Sequence, residues 1–490
     1  MPKLNVKRSV NRSMVRLVVL AAAVLALTIF SGGNAESAPL ITPAGTGSDV
    51  WGPRADSAQA GLEKFFWDSA DNVFYSNTNR VGPYSNYWWE AHAMDALVFG
   101  YERTGDSSYV HKIAQLNFGL TSHFGALRRN YYDDMEWMAL ALLRSYEATG
   151  VQEYLNEADT LWQTIQGGWS ENPGGGGFQW QTQGIYKNVA ANAPACILAC
   201  KLYQDFGDTT DLAWAHKIHA WLRANLVDST TGVILDGITY TNGVGTPGYG
   251  SYSYNYGTYV GACVHLYEIT KDTTYLHEAV TEADTAEQIF AGGADGIMKS
   301  EGTGDGGLFN GIFMYYFARL IQQPGLNSNQ RSQMEGFLLR NADSLWNAGR
   351  RPGGELFNDN WTVYPYGTLN LSVELSGVTL VEAQAMINDS VVTSVKPVGQ
   401  VVPRRFRLFQ NFPNPFNPST IIKYTIPHSG FVTLEIFNVL GQEVAMLVDG
   451  HQGAGSHEVN FNADRLASGA YFCVMNSDNF TSTKEMMLLK

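Results

Sequence analysis

The sequence predicts an all-α double ring of helices, an (α/α)6 barrel, followed by a small all-β immunoglobulin-like sandwich. Three features carry this expectation. Apolar residues recur at helical spacing from about Asp56 to Ile387. Inside that stretch a unit repeats: a long apolar helix ending near a tyrosine, a short polar turn, and a second, amphipathic helix. From Arg405 the pattern changes to short alternating strands separated by Gly and Asn turns.

The chain has 490 residues, enough for two or three domains with large cores. It carries 32 basic and 46 acidic residues, a net charge of −14, and no basic cluster after its N-terminal segment. That balance argues against a nucleic-acid partner. Aromatic residues make up 12% and charged residues only 16%, which suits neutral, ring-stacking ligands such as carbohydrates. Residues 1–35 read as a signal peptide. Lys3, Lys7, Arg8, Arg12 and Arg16 form a basic region, Leu17 to Phe30 an apolar region, and Gly33-Asn34-Ala35 a small-residue cleavage site. The apolar run is short for a membrane span and no second run follows, so the mature protein is expected to be exported, soluble and without a stable span.

A polar lead, Glu36 to Pro53, precedes the first helix. The helical junctions then read Tyr101-Glu102-Arg103-Thr104-Gly105-Asp106 and Tyr146-Glu147-Ala148-Thr149-Gly150. Two more follow, Tyr203-Gln204-Asp205-Phe206-Gly207-Asp208 and Tyr267-Glu268-Ile269-Thr270-Lys271-Asp272. With one pair opening near Ala55 and another near Asn310 they make six helix pairs, and a further helix around Leu371 to Ile387 would complete the ring. Helices apolar nearly all round alternate with amphipathic ones. An inner layer should therefore be packed on every side, while an outer layer keeps a solvent face. An open solenoid is the alternative arrangement. Residues 389–404, rich in Val, Ser and Pro, read as a linker between a barrel domain over 36–388 and a sandwich over 405–490. The expected strands are Ile421 to Ile426, Val432 to Phe437, His457 to Phe461 and Tyr471 to Met475.

If the inner helices run parallel, the loops before them share one rim. Those loops hold Tyr87-Trp88-Trp89-Glu90, Tyr131-Tyr132-Asp133-Asp134, and Trp180 through Lys187-Asn188. Tyr252-Ser253-Tyr254-Asn255-Tyr256-Gly257 and Gly304-Asp305-Gly306-Gly307 with Asn310 complete the set. Such a rim would stack sugar rings and hydrogen-bond their hydroxyls. At its centre stand Asp133 and Asp134, ahead of the apolar run Met135 to Leu143. Two carboxylates beside aromatic rings supply what glycosidic cleavage needs, an acid and a nucleophile or base. Asp133-x-x-Glu136 also fits a capping box, so the pair has a purely structural reading as well.

Other motifs carry less. Gly174 to Gly177 lacks the Gly-Lys-Ser/Thr of a phosphate loop and is expected to be a flexible rim turn. The loop around Asp305 lacks the carboxylate spacing of a calcium site. His92 stands alone on a helix and is expected to be packed. Cys196, Cys200, Cys263 and Cys473 show no zinc spacing and read as small buried apolar residues. No metal, cofactor or serine mechanism is expected.

At Tyr131-Tyr132-Asp133-Asp134-Met135-Glu136-Trp137 the sequence resembles glycoside hydrolase family 76, the endo-α-1,6-mannanases, over roughly Asp49 to Ile387. Gly175-Gly176-Gly177-Phe178-Gln179-Trp180, Lys187-Asn188 and Asn192-Ala193-Pro194 support the resemblance, as do Tyr254-Asn255-Tyr256-Gly257 and Phe309-Asn310-Gly311-Ile312. It implies an (α/α)6 barrel, an α-mannan substrate, and a retaining double displacement with Asp133 as nucleophile and Asp134 as general acid/base. The expected sugar contacts are Trp88, Trp89, Tyr132, Trp180, Lys187, Asn188, Tyr254, Asn255, Tyr256 and Asp305. The sequence departs from the commoner family pattern at Glu136, Met138 and Tyr256, which bears on subsite preference. The rival readings are a non-catalytic glycan-binding barrel, and a hydrolase or transglycosylase of the same fold acting on another α-glycan.

Phe409-Gln410-Asn411-Phe412-Pro413-Asn414-Pro415-Phe416-Asn417-Pro418-Ser419-Thr420 is similar to the start of type IX secretion C-terminal sorting domains. Val439-Leu440-Gly441-Gln442 and Leu466-Ala467-Ser468-Gly469-Ala470-Tyr471 match later parts. This implies export by the signal peptide, then transfer across the outer membrane by the type IX secretion machinery to the outer cell surface or beyond. A carbohydrate-binding or spacer sandwich is the alternative.

Overall fold

The computed structural model describes residues 50–392 and 406–490, apart from Gly82, Pro83, Ser85, Ala126, Ser229, Tyr249, Ala294, Gly354, Gln410, Phe412, Pro427, Asp478 and Asn479. The expected signal peptide, most of the polar lead and most of the expected linker lie outside the described residues. Residues 389–392 instead extend the last helix.

Twelve helices are present among the described residues. The first six are α1 (Trp51–Phe66), α2 (Tyr87–Thr104), α3 (Ser107–Phe124), α4 (Tyr132–Thr149), α5 (Gln152–Gln166) and α6 (Ala193–Phe206). They are followed by α7 (Thr209–Asn225), α8 (Ser253–Thr270), α9 (Thr273–Phe290), α10 (Gly306–Ile321), α11 (Ser328–Asn347) and α12 (Leu371–Val392). The even-numbered helices pack each against the next, and α12 closes on α2. Around them α3, α5, α7, α9 and α11 lie against the inner helix just before them. Burial follows the sequence pattern. In α8, 15 of 18 residues are buried, whereas α3 buries only five of 18, so α8 belongs to the inner layer and α3 to the outer. The ring is closed, which excludes the solenoid.

One expectation is corrected. The helix opening near Ala55 has no hairpin partner, because residues 67–86 turn through β1 (Trp67–Asp68) and β2 (Val73–Phe74) instead. Helix α1 packs against α12, so the two ends of the helical region form the sixth pair. Periodicity reports the faces of each helix, not its neighbour, and therefore passes over such a closure.

On the rim away from the inner helices' N-termini, three turns use a left-handed glycine: Gly105, Gly150 and Gly207, at φ 70°, 74° and 69°. Asp106, Asp208 and Asp272 each accept the backbone N–H two residues on, at 2.8–2.9 Å, and so cap the outer helices. Opposite them, β3 (Tyr186–Asn188), β4 (Gly237–Thr241) and β5 (Val244–Pro247) make a small antiparallel sheet from two rim loops. A two-stranded ribbon, β6 (Arg350–Arg351) with β7 (Leu356–Phe357), precedes α12.

The C-terminal region holds β8 (Arg407–Leu408), β9 (Ser419–Ile426), β10 (Gly430–Asn438), β11 (Glu443–Gln452), β12 (Gly455–Asn462), β13 (Gly469–Ser477) and β14 (Phe480–Leu488). They form two sheets, in order β11-β10-β13-β14 and β12-β9-β8, whose buried faces share a core around Ile422, Tyr424, Val432, Leu434, Ile436, Cys473 and Met475. All four expected strands are present. The strands β8, β11 and β14, all at sheet edges, were not among those named from the sequence. Pairing of β11 with β10 is interrupted by two register shifts, and β14 reads Thr481-Ser482-Thr483-Lys484-Glu485 through its middle. No helix among the described residues is long and apolar enough to cross a membrane. All four cysteines are buried and free.

Candidate active site

The site is built at the start of α4. Tyr131 is extended and occupies the N-cap position without a side-chain cap bond, so Asp133 and Asp134 are the second and third residues of the helix. The capping-box reading therefore fails. Glu136 is fully buried instead of turning back to the helix end. Free N–H groups and the helix dipole in this first turn favour negative charge.

The loop between α5 and α6 is pinned to this helix start. Tyr132 N–H donates to the Trp180 carbonyl (2.9 Å) and Thr182 N–H to that of Asn130 (2.8 Å). Across the same seam the Trp180 indole N–H donates to Oδ2 of Asp133 at 2.9 Å. What holds the loop is Lys187. Its buried ammonium donates to the carbonyls of Ser170, Pro173 and Gly176 at 2.5, 2.7 and 2.5 Å. The Gly174 to Gly177 run, expected to be flexible, is thus clamped. All four glycines have positive φ, and a Cβ on Gly176 or Gly177 would lie 2.5–2.6 Å from the rings of Trp169 or Trp221.

Asp133 and Asp134 open into a cleft of about 640 Å³. Of the expected sugar contacts, Trp88, Trp180, Asn188, Tyr254 and Asp305 line it. Trp89, Tyr132, Lys187, Asn255 and Tyr256 do not line it, and their polar atoms or rings meet the surrounding protein. Trp89 donates its indole N–H to Asp305 (3.1 Å), and the Tyr132 ring fills the space beside Gly168. Lys187 clamps the glycine run. Asn255 accepts the Tyr252 N–H (2.7 Å) and donates to Asp236 (3.2 Å), and the Tyr256 hydroxyl, fully buried, accepts the Ile234 N–H (3.0 Å). Amides and aromatic rings near a rim pin loops as readily as they meet ligands, and the sequence does not separate the two uses.

Two acids of the lining, Asp236 and Glu301, were not singled out from the sequence. Asp236 accepts from the hydroxyls of Tyr254 (2.6 Å) and Tyr186 (2.5 Å). It reaches the cleft only because β4 pairs with β3, a long-range contact with no local signature. Glu301 accepts the Ser253 N–H at 3.1 Å and so ties its loop to the first turn of α8. Trp137, Tyr252 and Phe309 complete the aromatic lining, with Tyr254 and Phe309 centroids 4.5 Å apart. His92, packed as expected, supports Trp137 at 4.7 Å between centroids and is pushed down to about 3 by burial, so it is neutral.

Charge in the cleft is arranged around one proton. Burial first, and repulsion from Asp134 second, push the Asp133 carboxyl up to about 8, against the Trp180 N–H and the backbone of the first turn. Burial pushes Asp134 up to about 6, with Arg129 opposing. The two titrate as a pair that holds one proton between those values. Burial also raises Glu301 to about 7, against its bonds to Ser253.

Among the described residues, His219, Cys263 and Glu278 bring metal-ligand atoms within 4.8 Å of one another. They sit in the wall formed by α7, α8 and α9, not in the cleft. His219 Nε2 lies 3.1 Å from Glu278, and Arg223 lies 2.8 Å from the same carboxylate, so the cluster is already charge-balanced.

A carboxyl pair sharing one proton, in a cleft faced with aromatic rings, is the arrangement of a glycoside hydrolase. Residues 51–395 match glycosyl hydrolase family 76, and the chain belongs to that family. Residues 410–489 match the secretion system C-terminal sorting domain. An α-1,6-mannanase of Salegentibacter sp. HEL1_6, solved as an inactive variant in complex with α-1,6-mannotriose, is 38% identical with a TM-score of 0.66, covering 69% of this chain and 99% of that one. A mannan endo-1,6-alpha-mannosidase of Candida albicans is 23% identical over 47% of this chain, which spans 55% of that relative's length. One from Saccharomyces cerevisiae is 24% identical over 57% of this chain and 69% of its own.

Proposed function

We propose that the chain is a secreted, endo-acting α-1,6-mannanase working by a retaining double displacement. The observation that carries this reading is the adjacent pair Asp133 and Asp134, sharing one proton at the mouth of a buried helix and facing an aromatic cleft. The inactive Salegentibacter enzyme bound to mannotriose carries asparagine in place of two consecutive aspartates, which supports the same assignment here. Burial leaves Asp133 the higher of the two, and the mechanism requires the shared proton to pass to Asp134 when substrate is bound. Asp134 gives that proton to the glycosidic oxygen as the bond breaks, while the Asp133 carboxylate attacks the anomeric carbon to form a glycosyl ester. Asp134 then takes a proton from water, which cleaves the ester and restores Asp133. Trp88, Trp180 and Tyr254 provide ring faces for sugars, and Asn188, Asp236, Glu301 and Asp305 provide polar partners. The N-terminal segment directs export, and the C-terminal sandwich hands the protein to the type IX secretion machinery, placing the barrel outside the cell or on its outer surface.

The test is incubation of the chain with linear α-1,6-mannan, the Asp133→Asn form alongside, followed by oligosaccharide analysis. A ladder of mannose oligomers from the unsubstituted chain alone supports substrate, endo action and the acid pair together. No products from folded protein, or equal products from both, would overturn the reading.

A further inference from the structure

Glu136 is the one member of the acidic motif that the mechanism above leaves unused. It lies three residues after Asp133 on α4, and residues at that spacing are neighbours on one helix face. It is fully buried, and neither carboxyl oxygen has a hydrogen-bond partner of ordinary geometry among the described residues. Oδ1 of Asp133 is buried and unpartnered in the same way. The corresponding acids of two other inner helices are used differently. Glu90 on α2 accepts the Phe74 N–H, and Glu374 on α12 the Phe357 N–H, each at 3.0 Å, so both staple a preceding loop. Glu136 has no such loop bond. It interacts with the Ala195 amide in the first turn of α6 and with Asp133, and burial followed by repulsion from Asp133 raises it well above the usual carboxylate range.

Two buried carboxyls side by side, each with an orphaned oxygen, are stabilised if one keeps its proton and gives it to the other as a hydrogen bond. We propose that Glu136 is a positioning residue for the acid pair: its neutral carboxyl accepts from the Ala195 amide and donates its O–H to Oδ1 of Asp133. Asp133 is then held from both sides, by the Trp180 N–H on Oδ2 and by Glu136 on Oδ1. Two donors to Asp133 favour its anion and oppose the burial and repulsion that push its carboxyl above that of Asp134, as the nucleophile role requires. The other groups acting on the pair are Arg129, Asp305 and the Tyr87 hydroxyl, which act on Asp134, and the Tyr254 hydroxyl, which acts on Asp133.

This inference rests on the mannanase reading, and the experiment separates the two. Glu136→Gln keeps an acceptor for Ala195 and a donor for Asp133; Glu136→Leu removes both. On linear α-1,6-mannan the Gln form is expected to stay close to wild type. The Leu form should lose about tenfold to hundredfold in kcat, the worth of one hydrogen bond to a charged group, with KM unchanged. Its acidic limb in kcat/KM should also move to higher pH, since Asp133 has lost a donor. Unchanged profiles in both variants would reduce Glu136 to a staple and overturn the proposal. A limb moving to lower pH in both would overturn it too, by showing that Glu136 carries charge. If the Leu form does not fold, infrared difference spectra decide: a protonated carboxyl band present in wild type at neutral pH and lost in Glu136→Gln supports the proposal, and its absence sinks it. That spectrum is readable even if mannan is not the substrate.

Discussion

The indole N–H of Trp180 meets Oδ2 of Asp133 at 2.9 Å, joining the loop after α5 to the first turn of α4. The same indole lies 5.0 Å from the Tyr131 ring and lines the cleft, so one side chain serves two purposes. Its edge is a donor, and the proposed function makes its face a platform. Trp180→Phe removes the donor and retains most of the platform. We expect kcat to fall about tenfold to hundredfold, with KM little changed and the acidic limb of the pH profile moved upward. Steady-state kinetics on mannan across pH checks this; a loss confined to KM would show that only the ring face matters.

The shared proton fixes the pH dependence. Below about 6 both members of the Asp133–Asp134 pair are protonated, and above about 8 both are ionised. On the proposed mechanism the first state lacks the nucleophile and the second the acid. A bell-shaped kcat/KM profile with limbs near those values is expected. Stability should run against activity. A carboxyl whose folded pKa is raised above its unfolded value contributes stability that is fully present below about 4 and lost as pH rises through the folded value. Asp133→Asn should therefore raise the melting temperature at pH 9, by about 0.5–2 kcal/mol of stability, and leave it unchanged at pH 4. Equal gains at both pH values would mean that charge is not the cause.

These features differ in how far they are visible in the sequence. The helical layers were legible because each inner helix is apolar on all faces, and Tyr131 to Trp137 stood out because two carboxylates abut aromatic rings. The closing pair α1 and α12 was not legible, since more than three hundred residues separate its members. Asp236 and Glu301 escaped notice for a related reason. Each lies in a Gly- and Thr-rich loop with no acidic neighbour beside it, and only the pairing of β4 with β3, or the bond to Ser253, brings it to the cleft. Lys187 and Tyr256 erred in the opposite direction. They lie within motifs that carry the site, yet their polar atoms are consumed by backbone.

Lys187 consequently has a stability phenotype. Three carbonyls converge on its ammonium, and the residue is almost fully buried. In Lys187→Met those carbonyls lose their donor while the glycine run keeps its left-handed conformations. A loss of about 2–4 kcal/mol is expected in chemical denaturation, with earlier proteolysis near Gly174 to Gly177. Burial lowers the Lys187 ammonium to about 8. Between that value and the ordinary lysine range the unfolded chain holds a proton that the folded chain has shed, so the stability of the unsubstituted protein relative to Lys187→Met should grow as pH rises through 8.

Deeper in the barrel, Arg144 on α4 donates to Asp95 on α2 at 2.6 Å and to the Tyr316 hydroxyl on α10 at 3.0 Å. One guanidinium thus links three inner helices beneath the cleft. Both charged partners are buried, and burial raises the Asp95 carboxyl even beside Arg144, whereas Arg144 stays firmly charged. The pair is therefore worth less as an attraction than its short distance suggests, but breaking it strands a carboxylate in an apolar interior. Arg144→Met should cost about 3–5 kcal/mol at neutral pH. Asp95→Leu combined with Arg144→Met should recover most of that loss, because no unpaired charge is left. Denaturation of both forms checks the point: a double variant as unstable as the single would mean that the hydrogen bond to Tyr316, and not the charge on Asp95, holds the three helices together.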